Sequence, residues 1–452
     1  MFKKSMIRGL LSIWFVSVAI FASAADFEAG AAKVCITPSY DIWMSGYASR
    51  DKPSQGKLHD LHAKALTLKD KDGHCAVLLT ADLIGVSADL SDRVAQRVKK
   101  LTGIERSAIM VNASHTHSGP VLRNNLETMY DLPPEEWEKI TRYTKELEDN
   151  MVKVICQSVE NLQPASLYRG NGEAHFAANR REYTINGVIN RFNPIGPVDN
   201  DVPVMKVVDQ SGSIMAIVFG YACHNTTLSI LKLSGDYAGF AQCEIEKNHP
   251  DAIAMFFIGC GGDANPLPRR KIEYAKNYGK QLSDSVDRVL NGFMREIKGS
   301  IKTTFTTVPL PLTPAPTRAQ LEEQAKDEYI YIVRRAKSLL KQLDKDGSLP
   351  ETYPYTLQLW SIGRDFRWLA MAGEVVVDYS LLFKHIYGKD DIWVTGYAND
   401  VFAYIPSLRV LREGGYEADE SMIYYGLHGP WKPEIEKIIV ETVAKLADEI
   451  DS

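Results

Sequence analysis

Short runs of consecutive apolar residues alternate along this chain with longer stretches in which apolar positions recur every three or four residues. The first pattern reads as strands buried on both faces, the second as amphipathic helices. Strands are predicted at 76–79, 108–111, 203–208, 214–219, 252–257, 366–370 and 391–396. Helices are predicted at 89–101, 135–160, 271–294, 318–343 and 432–449. Interleaved strands and helices predict an α/β fold of the mixed α+β kind, in one large domain. The helix from Arg318 follows Pro311, Pro314 and Pro316 and precedes the turn cluster 347–354, so it reads as an excursion from the main body.

Several of the predicted strands run directly into polar residues of chemical interest. The sharpest case is Asn112-Ala113-Ser114-His115-Thr116-His117-Ser118-Gly119-Pro120, where two imidazoles follow a strand and precede a Gly-Pro turn. Rigid backbone at a strand end suits metal or catalytic chemistry, and a surface turn is the competing reading. His224 follows the longest apolar strand, as a metal ligand or as a satisfied core histidine. Asp263 and Asn265 follow the strand at 252–257 through Gly259, Gly261 and Gly262, as site residues or as part of a plain Gly-rich turn. Glu374 follows Gly373 and opens an apolar stretch, either as a helix-start carboxylate favoured by the dipole or as a ligand. Tyr397, Tyr404 and Tyr416 sit near the end of the chain, where packing is the commoner fate of tyrosine. Two or three histidines, a Glu, an Asp and several tyrosines at strand C-terminal ends suit zinc with an open coordination position, which activates water toward a carbonyl. Mn²⁺ and Fe²⁺ are compatible with the same donors.

Composition narrows the partners. The first 24 residues carry Lys3, Lys4 and Arg8, then an uncharged apolar run, then Ala22-Ser23-Ala24, the layout of a cleaved export signal. Residues 25–452 are expected to form the exported catalytic domain, periplasmic or secreted, with no integral membrane segment. Loss of those three bases and no acid takes the formal charge from -5 to -8. No Lys/Arg block stands out, which argues against nucleic acid and anionic membrane surfaces. The six cysteines form no CxxC motif; their even number permits disulfides in an exported protein, and buried free thiols are the preferred reading.

In the histidine run, and in the order of the segments around it, the chain resembles the neutral (non-lysosomal) ceramidases. The likeness begins at the Ile36-Thr37-Pro38 and Met44-Ser45-Gly46-Tyr47 entry and runs to the Tyr-rich end. The resemblance implies zinc held by His115, His224, Glu374 and Tyr404. It implies His117 beside the reacting carbonyl, Arg180 reaching the site from an Asn-Arg pair, and Tyr416 stabilising the developing oxyanion. The family's Gly-Asp-Val-Ser-Pro-Asn segment stands here as Gly262-Asp263-Ala264-Asn265-Pro266-Leu267, so Asn265 occupies the serine position. Asn265 is expected to donate a hydrogen bond in place of a hydroxyl, with Cys260 a minor candidate nucleophile. The C-terminal β-sandwich domain of full-length relatives is expected to be absent.

The resulting expectation is a zinc-dependent hydrolase that cleaves an amide (N-acyl) bond of a small-molecule or lipid substrate, with His117 or Asp263 managing protons. Polar stretches at Arg180-Arg181-Glu182 and Pro268-Arg269-Arg270 suggest a smaller or more polar substrate than ceramide. Two other readings stay open. One is a metal enzyme that acts on a polar glycan by hydrolysis or elimination. The other is a relative that binds ligand without turnover.

Overall fold

Successive residues of the apolar strands point into different cores. In Cys75–Ala81, Val77 and Leu79 pack beneath helices Ala88–Thr102 and Pro134–Glu160, whereas Ala76 and Leu78 face a cluster holding Trp360, Trp368 and Trp393. Ile214–Tyr221 divides the same way, with Ile217 and Phe219 toward helices Asp236–Asn248 and Ile272–Asn291 and Ala216 and Val218 toward the tryptophans. Burial on both faces explains why these strands read as unbroken apolar runs. Each fully buried Leu or Phe in such a layer contributes roughly 1.5–3 kcal/mol.

The computed structural model describes residues 26–452; the expected export signal lies outside them. One sheet runs, in spatial order, Ile253–Ile258, Ile214–Tyr221, Asp201–Asp209, Gln163–Glu173, Phe27–Cys35, His62–Asp70, Cys75–Ala81 and Ile109–Ala113, with Arg295–Ile297 also paired to Gln163–Glu173. The pair at each end is parallel and the middle is antiparallel, so the sheet is mixed. A second sheet, Ile301–Pro311, Thr352–Ile362, Arg367–Met371 and Ile392–Thr395, packs on its inner face through the tryptophan cluster. Helices Val377–Tyr387 and Ile435–Asp451 cover the outer face of that second sheet. The order is therefore helices, sheet, sheet, helices, a mixed α/β architecture of the expected class. Among the described residues no helix is long and apolar enough to cross a membrane.

The two ends of the large sheet approach one another through one side chain. Asn112, fully buried, accepts from Ile258 N (3.0 Å) and donates to Thr395 Oγ1 (3.0 Å) and Gly396 O (2.8 Å). This junction brings the loop after Ile109–Ala113 beside the loops after Ile214–Tyr221 and Ile253–Ile258. Residues far apart along the sheet thus share one end of it.

The predicted helix at 318–343 is two helices, Arg318–Gln324 and Ile330–Asp346. Asp327 accepts from Tyr329 N (2.7 Å), a local bond that competes with the helical ladder and breaks it. A Thr317/Gln320 capping box starts the first helix. The expectation of buried thiols holds for Cys223 and Cys260 only; Cys35 and Cys243 are exposed, and all six cysteines are free.

Candidate metal centre

Two strand ends deliver three histidines to one point. His115 follows Ile109–Ala113 in a left-handed conformation (φ 58°), a strain of about 1–3 kcal/mol that marks many functional sites. His224 follows Ile214–Tyr221. The two loops are stitched together where Thr116 bridges Asn225 and His117 N donates to Asn225 O (3.3 Å). His224 N donates to Ala264 O (3.0 Å), which ties the same loop to the Gly-rich turn.

Each imidazole faces a main-chain carbonyl with its Nδ1. His115 reaches Ile84 O (2.6 Å), His117 reaches Gly46 O (2.9 Å) and His224 reaches Gly261 O (2.7 Å). A carbonyl only accepts, so Nδ1 carries the proton and the neutral ring presents a lone pair at Nε2. The three Nε2 atoms converge: those of His115 and His117 are 3.1 Å apart, and the three histidines together form a group able to hold a metal ion. Burial, and then the neighbouring imidazoles, pushes His117 well below its ordinary range; burial, and then the Arg180 charge, pushes His224 down to about 3. Both rings are therefore neutral at physiological pH.

Glu374 and Tyr404 arrive from the later half of the chain. The short strand Glu374–Val375 pairs in parallel with Tyr404–Ile405, with Glu374 opposite Tyr404. Glu374 lies in this strand and not in the first turn of Val377–Tyr387, which removes the helix-dipole explanation for it. Gly262 lets the Gly-rich turn press against this ladder: its N–H donates to Val375 O (2.8 Å), and a Cβ there would stand 2.7 Å from Glu374 O. Glu374 Oε2 lies 3.1 Å from His115 Nε2 and 3.0 Å from His224 Nε2, yet it is buried without a hydrogen-bond partner. Tyr404 Oη is 3.1 Å from His224 Nε2 and accepts from Arg180 Nη2 (3.0 Å). Glu374 Oε2, an orphaned carboxylate oxygen, thus faces two imidazole nitrogens at 3.1 and 3.0 Å, with the Tyr404 phenol oxygen 3.1 Å from the second of them. Lone pairs so arranged repel unless a cation lies among them, and a nitrogen and oxygen donor set of this kind fits zinc. His117 differs from these four: its Nε2 lies against that of His115, and among the described residues it makes no hydrogen bond or ion pair with Glu374 or Tyr404.

The other expected residues surround this group in unequal ways. Arg180 is buried, donates to Glu417 Oε1 (2.8 Å) and Asn265 Oδ1 (3.4 Å), and lies 5.4 Å from the Tyr416 ring centroid. Asn265 Oδ1 also accepts from Thr226 Oγ1 (3.2 Å), which leaves its Nδ2 as the available donor. Tyr416 packs with its ring 5.5 Å from that of Tyr404. Asp263 turns away from the histidines: Oδ1 accepts from Val377 N (2.8 Å) and Oδ2 from Asn179 Nδ2 (3.2 Å). Burial raises its carboxyl to about 7. The Arg180-Arg181-Glu182 stretch is not a polar loop open to substrate, because Arg181 is buried and held by Glu417 Oε2 (2.7 Å) and Glu413 Oε2 (3.1 Å). Burial raises the Cys260 thiol far above its ordinary range, which disqualifies it as a nucleophile.

Three further residues, of which only Tyr397 was singled out from the sequence, also stand against the site. Tyr425 donates a short hydrogen bond to Glu374 Oε1, and burial followed by the Glu374 charge keeps its phenol protonated. Tyr397, in a left-handed conformation (φ 54°), packs its ring 4.4 Å from that of His115. Arg50 donates to His117 O (2.7 Å). A Tyr-rich end was visible in the sequence, but no spacing rule selects Tyr425 from its neighbours.

A family profile described as neutral/alkaline non-lysosomal ceramidase, N-terminal, matches residues 27–266. The chain is 25% identical over 284 residues to neutral ceramidase 1 of Arabidopsis thaliana, a match covering 59% of this chain and 36% of the relative. It is 26% identical over 243 residues to the neutral ceramidase of Pseudomonas aeruginosa, covering 51% and 36%. The matched region thus spans about a third of the length of these relatives. The crystal structure of the Pseudomonas aeruginosa enzyme superposes with a TM-score of 0.70 at 19% identity, over 92% of this chain and 74% of that one. A structure titled as ceramidase complexed with C2 gives a TM-score of 0.70 at 18% identity, over 92% and 73%. At these identities the superpositions speak for the fold, including the later half that carries Glu374 and Tyr404.

Proposed function

The chain belongs to the neutral/alkaline non-lysosomal ceramidase family, and from that premise we propose that it is an exported, zinc-dependent hydrolase of an amide (N-acyl) bond. On this reading residues 1–24 are the export signal and 25–452 the catalytic unit. The observation that carries it is the convergence of His115 Nε2 and His224 Nε2 on the unsatisfied Oε2 of Glu374, at 3.1 and 3.0 Å. His115, His224, Glu374 and Tyr404 would hold the ion. When bound, zinc supplies Lewis acidity toward a carbonyl and makes a coordinated water more acidic.

The remaining roles follow from what each side chain is free to do. His117, with Nδ1 committed to Gly46 O, offers Nε2 as the base that takes a proton from water and returns it to the leaving nitrogen. Asp263 has both oxygens bonded elsewhere, so proton transfer falls to His117. Asn265 Nδ2 and the Tyr416 hydroxyl are the donors available to a developing oxyanion. Arg180 orients both Tyr404 and Asn265 through the bonds already described. The substrate is a small molecule or lipid, and ceramides are the first to try, since the relatives are named for them.

A second reading rests on one residue. Asn265 stands where the resemblance puts a serine, which favours a relative that binds ligand without turnover. Elemental analysis of the purified protein beside His115→Ala, with an amine-release assay on N-acyl substrates, separates the two. Near-stoichiometric zinc, lost together with amine release in the variant, is the expected result. Amine release that survives in a metal-free variant sinks the hydrolase mechanism, and metal with bound but unconverted substrate favours the binder.

A further inference from the structure

The chain carries a net formal charge of -5, yet one edge of the candidate site is basic. Tyr47 is the centre of this edge. Its ring lies 5.0 Å from the His117 ring, and its hydroxyl donates to Leu228 O (2.8 Å), in the loop that follows His224. The Arg50 guanidinium is 4.9 Å from the Tyr47 ring centroid, and so is that of Arg270. Two cations therefore share one aromatic ring beside His117. Arg269, the half-buried chain neighbour of Arg270, is the third; burial, and then the adjacent Arg270 charge, lowers its pKa.

None of Arg50, Arg269 and Arg270 has a carboxylate within ion-pair distance among the described residues, although most arginines of the chain do. Asp236, buried behind the same loop, accepts from Leu228 N (2.8 Å) and Tyr237 N (2.6 Å). Arg50 donates to two main-chain carbonyls, Ser45 O (2.5 Å) and His117 O (2.7 Å), and its Nε is buried with no partner. Arg270 is held in a left-handed conformation (φ 81°) by a bond from its N–H to Thr227 O (2.6 Å). A strained residue that keeps an exposed cation at the rim, next to two others without counter-ions, is costly unless a ligand anion offsets the charge. Guanidinium groups are suited to carboxylates.

Resting on the amide-hydrolase reading, we propose that the substrate is an anionic amide whose carboxylate sits close to the scissile bond, with Arg270, Arg50 and Arg269 receiving it. N-acyl amino acids are the simplest members of this class. Water adds its oxygen to the acyl carbon, the C–N bond breaks, and the protons of water leave on the amine and the carboxylic acid, so no other reactant is needed. The arginines position the substrate, and the reacting carbonyl is left to the donors named above, Asn265 Nδ2 and the Tyr416 hydroxyl.

The test compares N-lauroylglycine with N-lauroylethanolamine, which share an acyl chain and differ in carboxylate against alcohol. For the zinc-loaded full chain, kcat/KM is expected to favour the glycine conjugate by about tenfold or more at low salt, with the preference shrinking as salt is added. Arg270 is exposed, so Arg270→Gln is compatible with folding; it is expected to bring the ratio toward one, with Arg270→Lys intermediate. A ratio of one or below in the unmodified protein, or a preference untouched by Arg270→Gln, overturns the proposal. If neither compound is cleaved, calorimetric titration with the same pair decides. Selective binding of N-lauroylglycine that is lost in Arg270→Gln sustains the anion site and rejects amide cleavage. Absence of selective binding rejects the anion site.

Discussion

Glu374 and Tyr404 stand opposite each other in a two-stranded parallel ladder, so that main-chain pairing, and not side-chain packing, sets the spacing of the carboxylate and the phenol. Gly373 makes the ladder possible. It has φ 78°, and a Cβ there would lie 2.7 Å from Ile405 Cγ1 and 2.8 Å from Ala403 O. Gly373→Ala is expected to cost about 1–3 kcal/mol of stability and to lower zinc occupancy, read by denaturant melts and elemental analysis. Unchanged occupancy would show that the ladder does not set the ligand geometry.

Tyr425 holds the second oxygen of Glu374. Outer partners of metal ligands commonly govern affinity by about 10- to 100-fold. Tyr425→Phe is expected to weaken zinc binding within that range in a chelator competition, with little change in thermal stability of the metal-free protein. A variant with undiminished affinity would assign Tyr425 to packing.

Glu417 neutralises two buried arginines at once, accepting from Arg180 Nε at 2.8 Å and Arg181 Nη1 at 2.7 Å. Removing one partner of a buried pair leaves an uncompensated charge and costs about 3–5 kcal/mol. Glu417→Ala is expected to fall in that range by urea denaturation. A loss below about 1 kcal/mol, the scale of exposed pairs, would contradict the burial described for this cluster.

Asp400 gives a pH dependence. Its oxygens accept from Ala88 N (2.9 Å) and Tyr353 Oη (2.8 Å), and burial raises its carboxyl to about 7. Because the folded value lies above the unfolded one, near 3.9, the folded state binds the proton more tightly. Stability from this group is complete below about pH 4 and is lost as pH rises through about 7. Asp400→Asn is expected to flatten that decline by up to about 4 kcal/mol between pH 4 and 8, measured as the difference between the two melting profiles. Parallel profiles would place the titration elsewhere, with Asp236, Asp263 and Glu420 as the other raised carboxyls.

Strands buried on both faces were legible because they leave continuous apolar runs, as in Ile214–Tyr221 and Ile253–Ile258. Their neighbours were not. His62–Asp70 reads HAKALTLKD, rich in Ala, Lys and Leu, which favour helix; pairing to strands on both sides overrides that preference. Phe27–Cys35 is short of β-branched residues and earns its strand from the same pairing. At the site, His115, His117 and His224 were found because strand ends concentrate chemistry. The bond from Asp263 to Val377 N was not foreseeable, since the partners are far apart in sequence and only the approach of Gly262 to the Glu374 ladder brings them together. Arg181 looked like a loop residue for a similar reason: its acidic partners, Glu413 and Glu417, lie near the other end of the chain.

The three Nδ1 contacts end on Ile84 O, Gly46 O and Gly261 O, all main-chain atoms. Every residue type presents the same carbonyl, so the tautomers of the cluster are specified by the path of the chain and not by the identity of the anchoring residues. Sequence drift can therefore rewrite most of the surroundings while the imidazoles keep their orientation. The superposed structures keep this fold at 18–19% identity, and the path of the chain is all that the three Nδ1 contacts require.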